Sequence, residues 1–397
     1  MLFNSLGSNY DFEFALKSIF SFQRGEANSK LKALLEKKYG GEPVLLYKGR
    51  EAIKLALELS GLPKGSRVGV NGFTCYVVYQ AIIEAGYKPV YLDINGRSLN
   101  FDIKHLQKTK DLKALIIQNT LGNPVDIDAV KVFCDTNRII LIEDLAHSAG
   151  GVYSNGLEMG KAGDFTALSF SLDKIIDAVS GGALIVRNRK YEAGLENISY
   201  KTLPLNNQLH DRFYPLLTFK IRKIYPLGFG KVLHFLLKKT KALSDPIGNI
   251  NSIEYHKLPG WYAALALFRF SKLDEELKHR KMIAGIYSQK LDSRIISSEI
   301  IANYKFSTNI RFPIFVENRN GLIRHLKDNG VYVSDIWYDA PVAPKKLLSK
   351  TDYRDECPNS QEISDKIVNL PTHINVSMKE AEKISVLINK WQNTQQK

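Results

Sequence analysis

Cysteine is scarce in this sequence and forms no recognisable framework. The 397 residues include three cysteines, Cys75, Cys134 and Cys357, and no two of them make a Cys-x-x-Cys pair. An odd, widely spaced set excludes a disulfide scaffold and a cysteine-rich zinc site. The histidines show no metal-ligand spacing either. We therefore expect no metal site and a reducing compartment, which for a soluble protein is the cytoplasm.

Long hydrophobic runs are also absent. The longest stretch without Asp, Glu, Lys or Arg covers 68–83 and contains Asn71 and Gln80, whereas a membrane-spanning helix needs about 20 mostly apolar residues. The first residues carry Asp11 and Glu13 and have no basic region, unlike a secretory signal. With 44% hydrophobic and 24% charged residues, the composition indicates a soluble globular protein.

Acidic residues are fewer than basic ones, and half of the basic excess lies in one segment of the chain. Lysine and arginine number 55 against 41 aspartates and glutamates, a net charge of +14. The segment 201–245 alone contains nine basic residues and two acids, Asp211 and Asp245, which is half of the excess. A basic chain can bind nucleic acid, but no DNA- or RNA-binding motif is recognisable. We therefore expect no nucleic-acid partner.

From about Pro43 to Asn188 the sequence alternates apolar strands with helices. The predicted strands are 43–47, 67–70, 89–94, 114–120, 138–145, 164–170 and 181–188. Strands that are apolar throughout and separated by helices predict an α/β fold, with a three-layer α/β/α large domain around a mostly parallel sheet. In such sheets the ligand binds at the carboxyl ends of the strands.

After about Tyr255 the pattern changes. Residues 258–291 predict one or two long amphipathic helices. A strand at 309–316, a helix at 321–329 and a C-terminal helix from Ser377 then predict a small α+β domain. We place the large domain at 1–285, with a basic amphipathic insertion at about 201–245, and the small C-terminal domain at 286–397.

Two polar features lie at the ends of predicted strands. Lys48-Gly49-Arg50-Glu51 stands at a strand-to-helix junction, where free N–H groups and two cations form an anion site; the alternative is an ordinary turn. Asp144 ends the most apolar strand, where a partly desolvated carboxylate needs a cationic partner; the alternative is a helix N-cap.

Two further features follow the next strands. Lys174 comes after the strand 164–170, and a lysine held in a partly buried site becomes a nucleophilic amine suited to Schiff-base chemistry. The alternative is a solvated lysine. Gly181-Gly182 opens a strand and either permits close backbone approach or forms a plain turn.

One ligand fits these features together. It would carry an anionic group for the helix start, a basic nitrogen for Asp144 and an aldehyde for Lys174, and pyridoxal phosphate has all three. Asp144 would keep the ring nitrogen protonated, while Lys174 would bind the aldehyde and later move a proton between substrate and cofactor.

The same region resembles a known family. The segments IIEAGYKPVYLDI, IIQNTLGNPVDIDAV, LIEDLAHSAGG, GDFTALSFSLDKII and GGALIV carry the resemblance by their order, spacing and residue type. The chain resembles the DegT/StrS-type sugar aminotransferases, which are fold-type I, pyridoxal-phosphate-dependent homodimers with active sites at the subunit interface. One variant of this fold replaces the lysine with histidine and dehydrates sugars. Because Lys174 is kept here, the resemblance favours transamination.

The resemblance implies a role for each site residue. Lys174 would hold the cofactor covalently, Asp144 would pair with the pyridine nitrogen, and His147 would hydrogen-bond the phenolic oxygen. Ser169 would bind the phosphate. Gly49 and Arg50 stand where the family has a Ser-Gly-Thr phosphate loop.

Several positions depart from the family pattern. Where the family stacks an aromatic residue on the cofactor ring, Thr74 is followed here by Cys75 and then Tyr76. Either Tyr76 stacks on the ring or the Cys75 thiol makes a softer contact. The family's interface loop carries an Asn that reaches the partner's cofactor phosphate, and an Arg. Tyr255 and Lys257 stand there in this chain, and lysine lacks the bidentate fork of arginine.

The basic segment and two aromatic residues leave alternatives open. Trp337 and Tyr338 either line a substrate pocket or belong to the core. The segment 201–245 mixes aromatic, leucine and basic residues as interfacial helices do. It is a membrane-surface contact, a lid over an anionic sugar nucleotide, or an insertion packed on its own domain. Pro215, Pro226 and Gly228 predict that it is broken into short pieces.

Our functional hypothesis is a pyridoxal-phosphate-dependent aminotransferase. It would transfer an amino group, with glutamate as the expected donor, to a keto-sugar carried on a nucleotide, for amino-sugar or surface-polysaccharide synthesis. An anionic nucleotide diphosphate suits a basic protein. The alternative is a non-catalytic regulator that binds the cofactor or a sugar on the same fold, which the departures at Cys75, Tyr255 and Lys257 motivate.

Overall fold

A computed structural model describes residues 1–21, 25–240, 242–244, 247, 250–334 and 337–395. The strands are β1 (Leu2–Phe3), β2 (Glu42–Leu46), β3 (Arg67–Asn71), β4 (Thr74–Cys75), β5 (Lys88–Leu92), β6 (Leu112–Ile117), β7 (Ile140–Asp144), β8 (Phe165–Ser169), β9 (Gly182–Val186), β10 (Phe312–Phe315), β11 (Val331–Tyr332), β12 (Val342–Ala343) and β13 (Ile367–Leu370).

The helices are α1 (Phe12–Phe20), α2 (Gly25–Tyr39), α3 (Gly49–Leu59), α4 (Tyr76–Glu84), α5 (Ile103–Lys108), α6 (Ile127–Asn137), α7 (Leu205–Ile224), α8 (Phe229–Lys239), α9 (Gly260–Ser271), α10 (Leu273–Lys290), α11 (Ser298–Asn303), α12 (Arg319–Asp328), α13 (Lys345–Leu348), α14 (Pro358–Lys366) and α15 (Met378–Thr394). Short 3₁₀ turns lie at Thr120–Gly122, Arg189–Asn197, Tyr225–Leu227 and Ser293–Ile295.

A seven-stranded sheet forms the centre of the molecule, in the order β2-β9-β8-β7-β6-β3-β5. The strands from β8 to β5 pair in parallel, while β9 runs antiparallel to β8 and β2. All seven strands predicted from the apolar runs are present. The predicted α/β fold with a mostly parallel sheet is therefore confirmed.

Both faces of the sheet are covered, as continuous apolar strands require. Along β6, Leu115 and Ile117 belong to one hydrophobic cluster, and Ala114 and Ile116 belong to the cluster on the other face. This alternation follows from the two-residue period of a strand. Asp126 caps α6, because its carboxylate accepts the Ala129 N–H at the start of the helix.

The C-terminal part contains a second, smaller layer. Strands β10 and β13 pair antiparallel, α14 contacts β10, and α15 packs against α12 and α10. Ser377 forms a capping box with Glu380 at the start of α15. The predicted boundary at 285/286 lies inside the continuous helix α10, and the division into two domains stays a prediction.

Two pairs of two-residue strands join distant parts of the chain. β1 pairs with β11, and β4 pairs with β12, both in parallel. The second pair brings the strand that ends at Cys75 against the segment that follows Tyr338. Strands this short carry no periodicity, so the sequence did not predict them.

The basic insertion is helical, and one expectation about it is wrong. α7 continues through Pro215 for 20 residues, although a proline lacks the N–H that an inner helical turn uses. Pro215 is buried and α7 packs along α1, so tertiary packing outweighs the missing bond. The break occurs later, at Tyr225–Leu227 and at Gly228, whose φ is +82°. Lys241 and Asp245 lie outside the described residues.

Among the described residues, no helix combines the length and the apolar character needed to cross a bilayer.

Candidate active site

The carboxyl ends of the central strands converge on one pocket. β7 ends at Asp144, β8 ends at Ser169, and α3 begins beside them at Gly49. The residues lining the pocket are Gly49, Arg50, Ile53, Cys75, Val77, Val78, Gln118, Asp144, Ala146, His147, Ser169, Lys174 and Tyr338. The structure thus brings together eight of the predicted site residues, including Lys174 and Asp144.

Lys174 lies on a tightly held turn after β8. Asp173 and Val179, on either side of it, have φ values of +62° and +71°, which are strained for residues other than glycine. The buried carboxylate of Asp177 stabilises the turn by accepting the backbone N–H groups of Asp173 at 2.8 Å and of Val179 at 3.1 Å.

The Asp177 carboxylate is itself held from the N-terminal segment. Asn9 Nδ2 donates to it at 3.0 Å, and the Tyr10 hydroxyl donates to its other oxygen. With two backbone and two side-chain donors, this carboxylate is well satisfied despite being fully buried. The turn that carries Lys174 is therefore rigid before any ligand binds.

Burial lowers the pKa of the Lys174 ammonium, because the charged form loses its hydration. The nearby Cys75, Asp144 and Asp173 oppose this effect, and the Arg311 guanidinium adds to it. The Lys174 Nζ also lies 4.8 Å from the centre of the Trp337 ring. A larger share of neutral amine, the nucleophilic form, follows from this environment.

The contacts of its two ring nitrogens determine the tautomer of His147. Its Nδ1 lies 3.4 Å from the Leu121 N–H, so Nδ1 is the acceptor and the neutral ring carries its proton on Nε2. Nε2 lies 3.4 Å from Lys174 Nζ. Burial, followed by Lys174 and Arg311, lowers the pKa of His147 well below its usual value. The ring therefore stays neutral.

Asp144 presents a buried carboxylate to the same pocket. Burial raises its pKa, while the Ala146 N–H, donated at 2.9 Å, and the charge of Lys174 lower it. A turn and not a helix follows β7. The alternative that Asp144 is a helix N-cap is therefore wrong.

Gly49 and Ser169 form one corner of the pocket. A Cβ atom on Gly49 would lie 2.8 Å from the Cβ of Ser169, so only glycine lets the start of α3 approach this closely. Lys48 offers no side-chain cap to α3, which leaves N–H groups of the first turn directed at the pocket. Arg50 lines the same corner and donates to the Ile247 carbonyl.

The glycine pair opening β9 works as the close-approach alternative predicts. A Cβ on Gly182 would lie 2.7 Å from the Lys48 carbonyl carbon and 2.8 Å from the Gly49 nitrogen. Because Gly182 packs directly against the backbone of Lys48 and Gly49, β9 supports the strand-to-helix junction at Gly49.

Trp337 and Tyr338 cover the site from the C-terminal part of the chain. Trp337 stacks on His147, with ring centres 5.1 Å apart and planes at 19°. Tyr338 stacks on Phe73 at 4.6 Å, and its hydroxyl lies 3.3 Å from His147 Nδ1. Tyr338 is buried and Trp337 is half-buried.

Cys75 lies in the pocket and Tyr76 does not. Cys75 precedes α4 and lines the pocket wall. Tyr76 is buried in the hydrophobic cluster on the far face and packs against Tyr79 at 5.7 Å. Of the two arrangements expected at this departure, the thiol contact is the one that the geometry permits.

Tyr255 and Lys257 lie away from this pocket. The Tyr255 hydroxyl donates to Glu58 near the end of α3, and Lys257 Nζ lies 5.5 Å from the Tyr200 ring. Between them, the His256 N–H donates to Glu51 at 3.0 Å. The structure does not bring either residue to Lys174 of the same chain, and their role at a partner's site stays a prediction.

Sequence reasoning missed three site residues. Gln118 follows β6 and donates to the Tyr338 hydroxyl at 3.3 Å while accepting from Thr74 at 2.6 Å. Arg311 is buried beneath Trp337, and its Nη2 lies 3.8 Å from Asp173. Asp177 is the third. A polar residue ending an apolar strand could have revealed Gln118, and a charge next to the strand 312–315 could have revealed Arg311.

Comparison with known proteins identifies the family. A model of the DegT/DnrJ/EryC1/StrS aminotransferase family matches residues 11–222 and 243–389. The chain therefore belongs to this family of aminotransferases, as the sequence motifs predict.

Individual relatives are distant but cover most of the chain. GDP-perosamine synthase of Vibrio cholerae is 25% identical over 82% of this chain and 79% of its own length. The pleiotropic regulatory protein of Geobacillus stearothermophilus is 22% identical over 81% and 77%. The structure of an aminotransferase from Psychrobacter cryohalolentis superposes with a TM-score of 0.74, at 15% identity over 98% of each chain. The fold is thus that of the solved aminotransferases.

Proposed function

We propose that the protein is a pyridoxal-phosphate-dependent transaminase that aminates a nucleotide-linked keto-sugar. The observation that supports this proposal most directly is the shared pocket of Lys174 and Asp144. A buried amine with a lowered pKa and a buried carboxylate face one cavity that the start of α3 also lines.

The residues present fit pyridoxal phosphate. The Gly49–Ser169 corner, which a Cβ on residue 49 would fill, offers N–H groups and a hydroxyl to a phosphate. Asp144 offers a carboxylate to a ring nitrogen, and the Nε2–H of His147 is available for an oxygen on the same ring. The donor set therefore matches each polar group of this cofactor.

Bound pyridoxal phosphate would supply an aldehyde that links to an amine and a pyridinium ring that withdraws electrons. Lys174 would bind the aldehyde carbon through Nζ and, when displaced by substrate, its neutral amine would take up and return a proton. Asp144 would hold a proton on the ring nitrogen. His147 and Trp337 would orient the ring and exclude water from the Lys174 side.

The substrate class is supported by charge and by the relatives. A nucleotide diphosphate is anionic and the chain carries a net charge of +14. One relative is named for GDP-perosamine and another for a dTDP-linked amino sugar. We propose glutamate as the amino donor. Trp337 and Tyr338 would contact the sugar, and Lys257 of the neighbouring subunit would contact a carboxylate.

We further propose a cytoplasmic homodimer. The three cysteines are free thiols, as a reducing compartment permits. Tyr255 and Lys257 follow the insertion on a loop that does not reach its own pocket, which supports a contribution to the site of a second copy.

A second candidate is a regulator that binds the same cofactor without turnover. It is favoured by the similarity to a protein named as a pleiotropic regulatory protein and by Cys75 at the cavity wall. Turnover of any keto-sugar nucleotide with glutamate would exclude it.

The test uses the purified full chain with added pyridoxal phosphate. We expect visible absorbance that borohydride fixes, and peptide mass spectrometry should find the reduced adduct on Lys174. Lys174→Ala should lose the adduct and all turnover. Asp144→Asn should keep part of the bound cofactor and lose turnover at least about 100-fold, the size typical of removing one group that stabilises developing charge.

The matched control is Lys379→Ala, which removes an exposed lysine of α15 that does not line the pocket. It should keep the adduct on Lys174. A protein that takes up no cofactor, or an Asp144→Asn variant with near-normal turnover, would contradict the proposal.

A further inference from the structure

The helix α8 exposes its apolar side chains to solvent. Of its 11 residues, Gly230 is the buried one, while Phe229 and Phe235 are 69% and 65% exposed. Val232 and Leu236 are exposed as well, and so is Leu227 just before the helix. Surface helices normally turn such residues toward the core. We call Leu227, Phe229, Val232, Phe235 and Leu236 the outer face of α8.

The orientation of the outer face is fixed by close packing on α7. A Cβ on Gly230 would lie 2.5 Å from the Ile221 carbonyl oxygen and 2.6 Å from Tyr225 Cα, so the backbone of α8 lies directly against the end of α7. At 3.6 residues per turn, Leu233 and Leu237 then point to the same inner side as Gly230 and are half-buried. The outer face cannot turn inward without breaking this contact.

The exposed charged side chains beside the outer face are all positive. Lys231, Lys238 and Lys239 are exposed on α8, and in the described part of the chain none of them pairs with a carboxylate. The one acid between 201 and 240 is Asp211, which is 4% exposed and accepts from the hydroxyls of Tyr47 and Tyr262. The exposed charge of these helices is therefore entirely positive.

We propose that the outer face of α8 binds the surface of an anionic phospholipid bilayer. The apolar side chains would enter the boundary between headgroups and acyl chains, while the lysines contact anionic headgroups. An 11-residue helix is about 16 Å long and lies along the surface, because it is too short to cross a bilayer.

The charges disfavour two other occupants. A second copy of the chain docked face to face would bring the three unpaired lysines of each copy together, and like charges repel. Nucleic acid would engage the lysines, but it would leave Val232, Leu236 and Leu227 without an apolar partner. A bilayer with anionic lipids satisfies both features at once.

The experiment is co-sedimentation of the full chain with vesicles. One set contains phosphatidylcholine alone, and the other contains phosphatidylcholine with 30% phosphatidylglycerol. We expect at least tenfold more bound protein on the anionic vesicles, and binding that weakens as salt rises from 50 to 500 mM, because screening shortens the reach of the lysine charges.

Two variants separate the two features. The apolar variant Phe229→Gln, Val232→Gln, Phe235→Gln should lose binding at least tenfold at every salt concentration. The basic variant Lys231→Gln, Lys238→Gln, Lys239→Gln should lose binding at least tenfold at low salt. The matched control is Val132→Gln with Val386→Gln, which removes two exposed valines on α6 and α15 and should bind as the unmodified protein does. Thermal unfolding of each variant checks that the fold is intact.

Four results would overturn the proposal. One is the unmodified chain remaining in the supernatant with anionic vesicles. Another is an apolar variant that binds them as well as the unmodified chain. The third is light scattering in which the apolar variant alone breaks an oligomer. The fourth is binding to a single-stranded oligonucleotide in place of vesicles. Neither cofactor binding nor turnover enters these outcomes, so they are independent of the proposed function.

Discussion

At the scale of single residues, the site is built around an amine whose pKa is lowered by its surroundings. In the described part of the chain Lys174 forms no ion pair with a carboxylate, and its Nζ lies 3.4 Å from the Nε2 of a neutral His147. Burial is the largest cause of the lowered pKa at both residues. An enzyme that must bond its lysine to an aldehyde needs this neutral form.

Asp173, next to Lys174, makes the stability of the fold depend on pH. Burial raises its pKa to about 6, with Arg311 opposing and Asp177 adding to the shift. The unfolded chain releases this proton near its ordinary pKa of 3.8, so the folded state binds more protons between pH 4 and 6. This contribution to the free energy of unfolding therefore falls as pH rises through that window and is level above it.

We expect Asp173→Asn to remove this slope. Relative to the variant, the unmodified protein should lose on the order of 1–3 kcal/mol of unfolding free energy from pH 4 to pH 6.5. Urea unfolding at a series of pH values measures the difference. Asp328→Asn, at an exposed site on α12, is the control. This account is wrong if the unfolding free energy of the unmodified chain, minus that of Asp173→Asn, rises with pH or stays constant across this range.

The sequence could reveal Lys174 and Asp144 but not what holds them. Both follow strongly apolar strands, and a polar residue at such a strand end is visible in one chain. Asp177 and Arg311 act through contacts with residues 168 and 138 positions away, respectively. No local sequence pattern encodes such pairs, so nothing in the residues around Lys174 indicates that Asp177 has a special role.

At the scale of elements, the close approach of the start of α3 to Ser169 determines the shape of the Gly49–Ser169 corner. Gly49→Ala would place a methyl group 2.8 Å from Ser169 Cβ, and one of the two elements would have to shift. We expect a loss of about 1–3 kcal/mol in stability, as for other overpacked sites, and weaker binding of pyridoxal phosphate. Thermal unfolding and cofactor titration measure the two effects.

Gly285→Ala is the matched control for this prediction. Its Cβ would meet the Tyr304 ring at an ordinary 3.5 Å within α10, and alanine favours a helix by up to about 1 kcal/mol over glycine. This variant should be neutral or more stable, with unchanged cofactor binding. Equal effects of the two substitutions would show that the Gly49 corner has no special role.

Local sequence patterns predicted which strands of the central sheet exist, but they did not predict how those strands pair. The apolar runs predicted every strand of the central sheet to within a few residues, because burial on both faces demands such runs. The order of the strands, the antiparallel direction of β9 and the continuation of α7 through Pro215 depend on tertiary packing. Those features have no signature in a short window of sequence.

At the scale of the whole molecule, we expect two chains to share their sites. Light scattering should give twice the 44.9 kDa of one chain. Lys174→Ala and the double variant Tyr255→Ala, Lys257→Ala should each have little turnover as pure dimers. Refolded as an equal mixture, they should recover about a quarter of normal turnover, since half of the dimers then contain one complete site.

The controls for this prediction are the separate variants, mixed without refolding. These should show only the sum of their own activities. A monomeric mass, or no gain on refolding together, would rule out a shared site and would leave Tyr255 bound to Glu58 as a purely structural contact.

The Asn9–Asp177 and Tyr10–Asp177 contacts also set a time order for the maturation of the chain. At typical elongation rates of 5–20 residues per second, roughly 10–30 s separate the synthesis of Asn9 from that of Asp177. Lys174 is made only three positions before Asp177, so its amine stays hydrated and protonated until the completed segment docks on Asn9 and Tyr10. A ribosome-bound or half-folded chain would therefore present an unreactive ammonium to stray aldehydes, and the amine would gain its nucleophilic character only once the surrounding fold is complete.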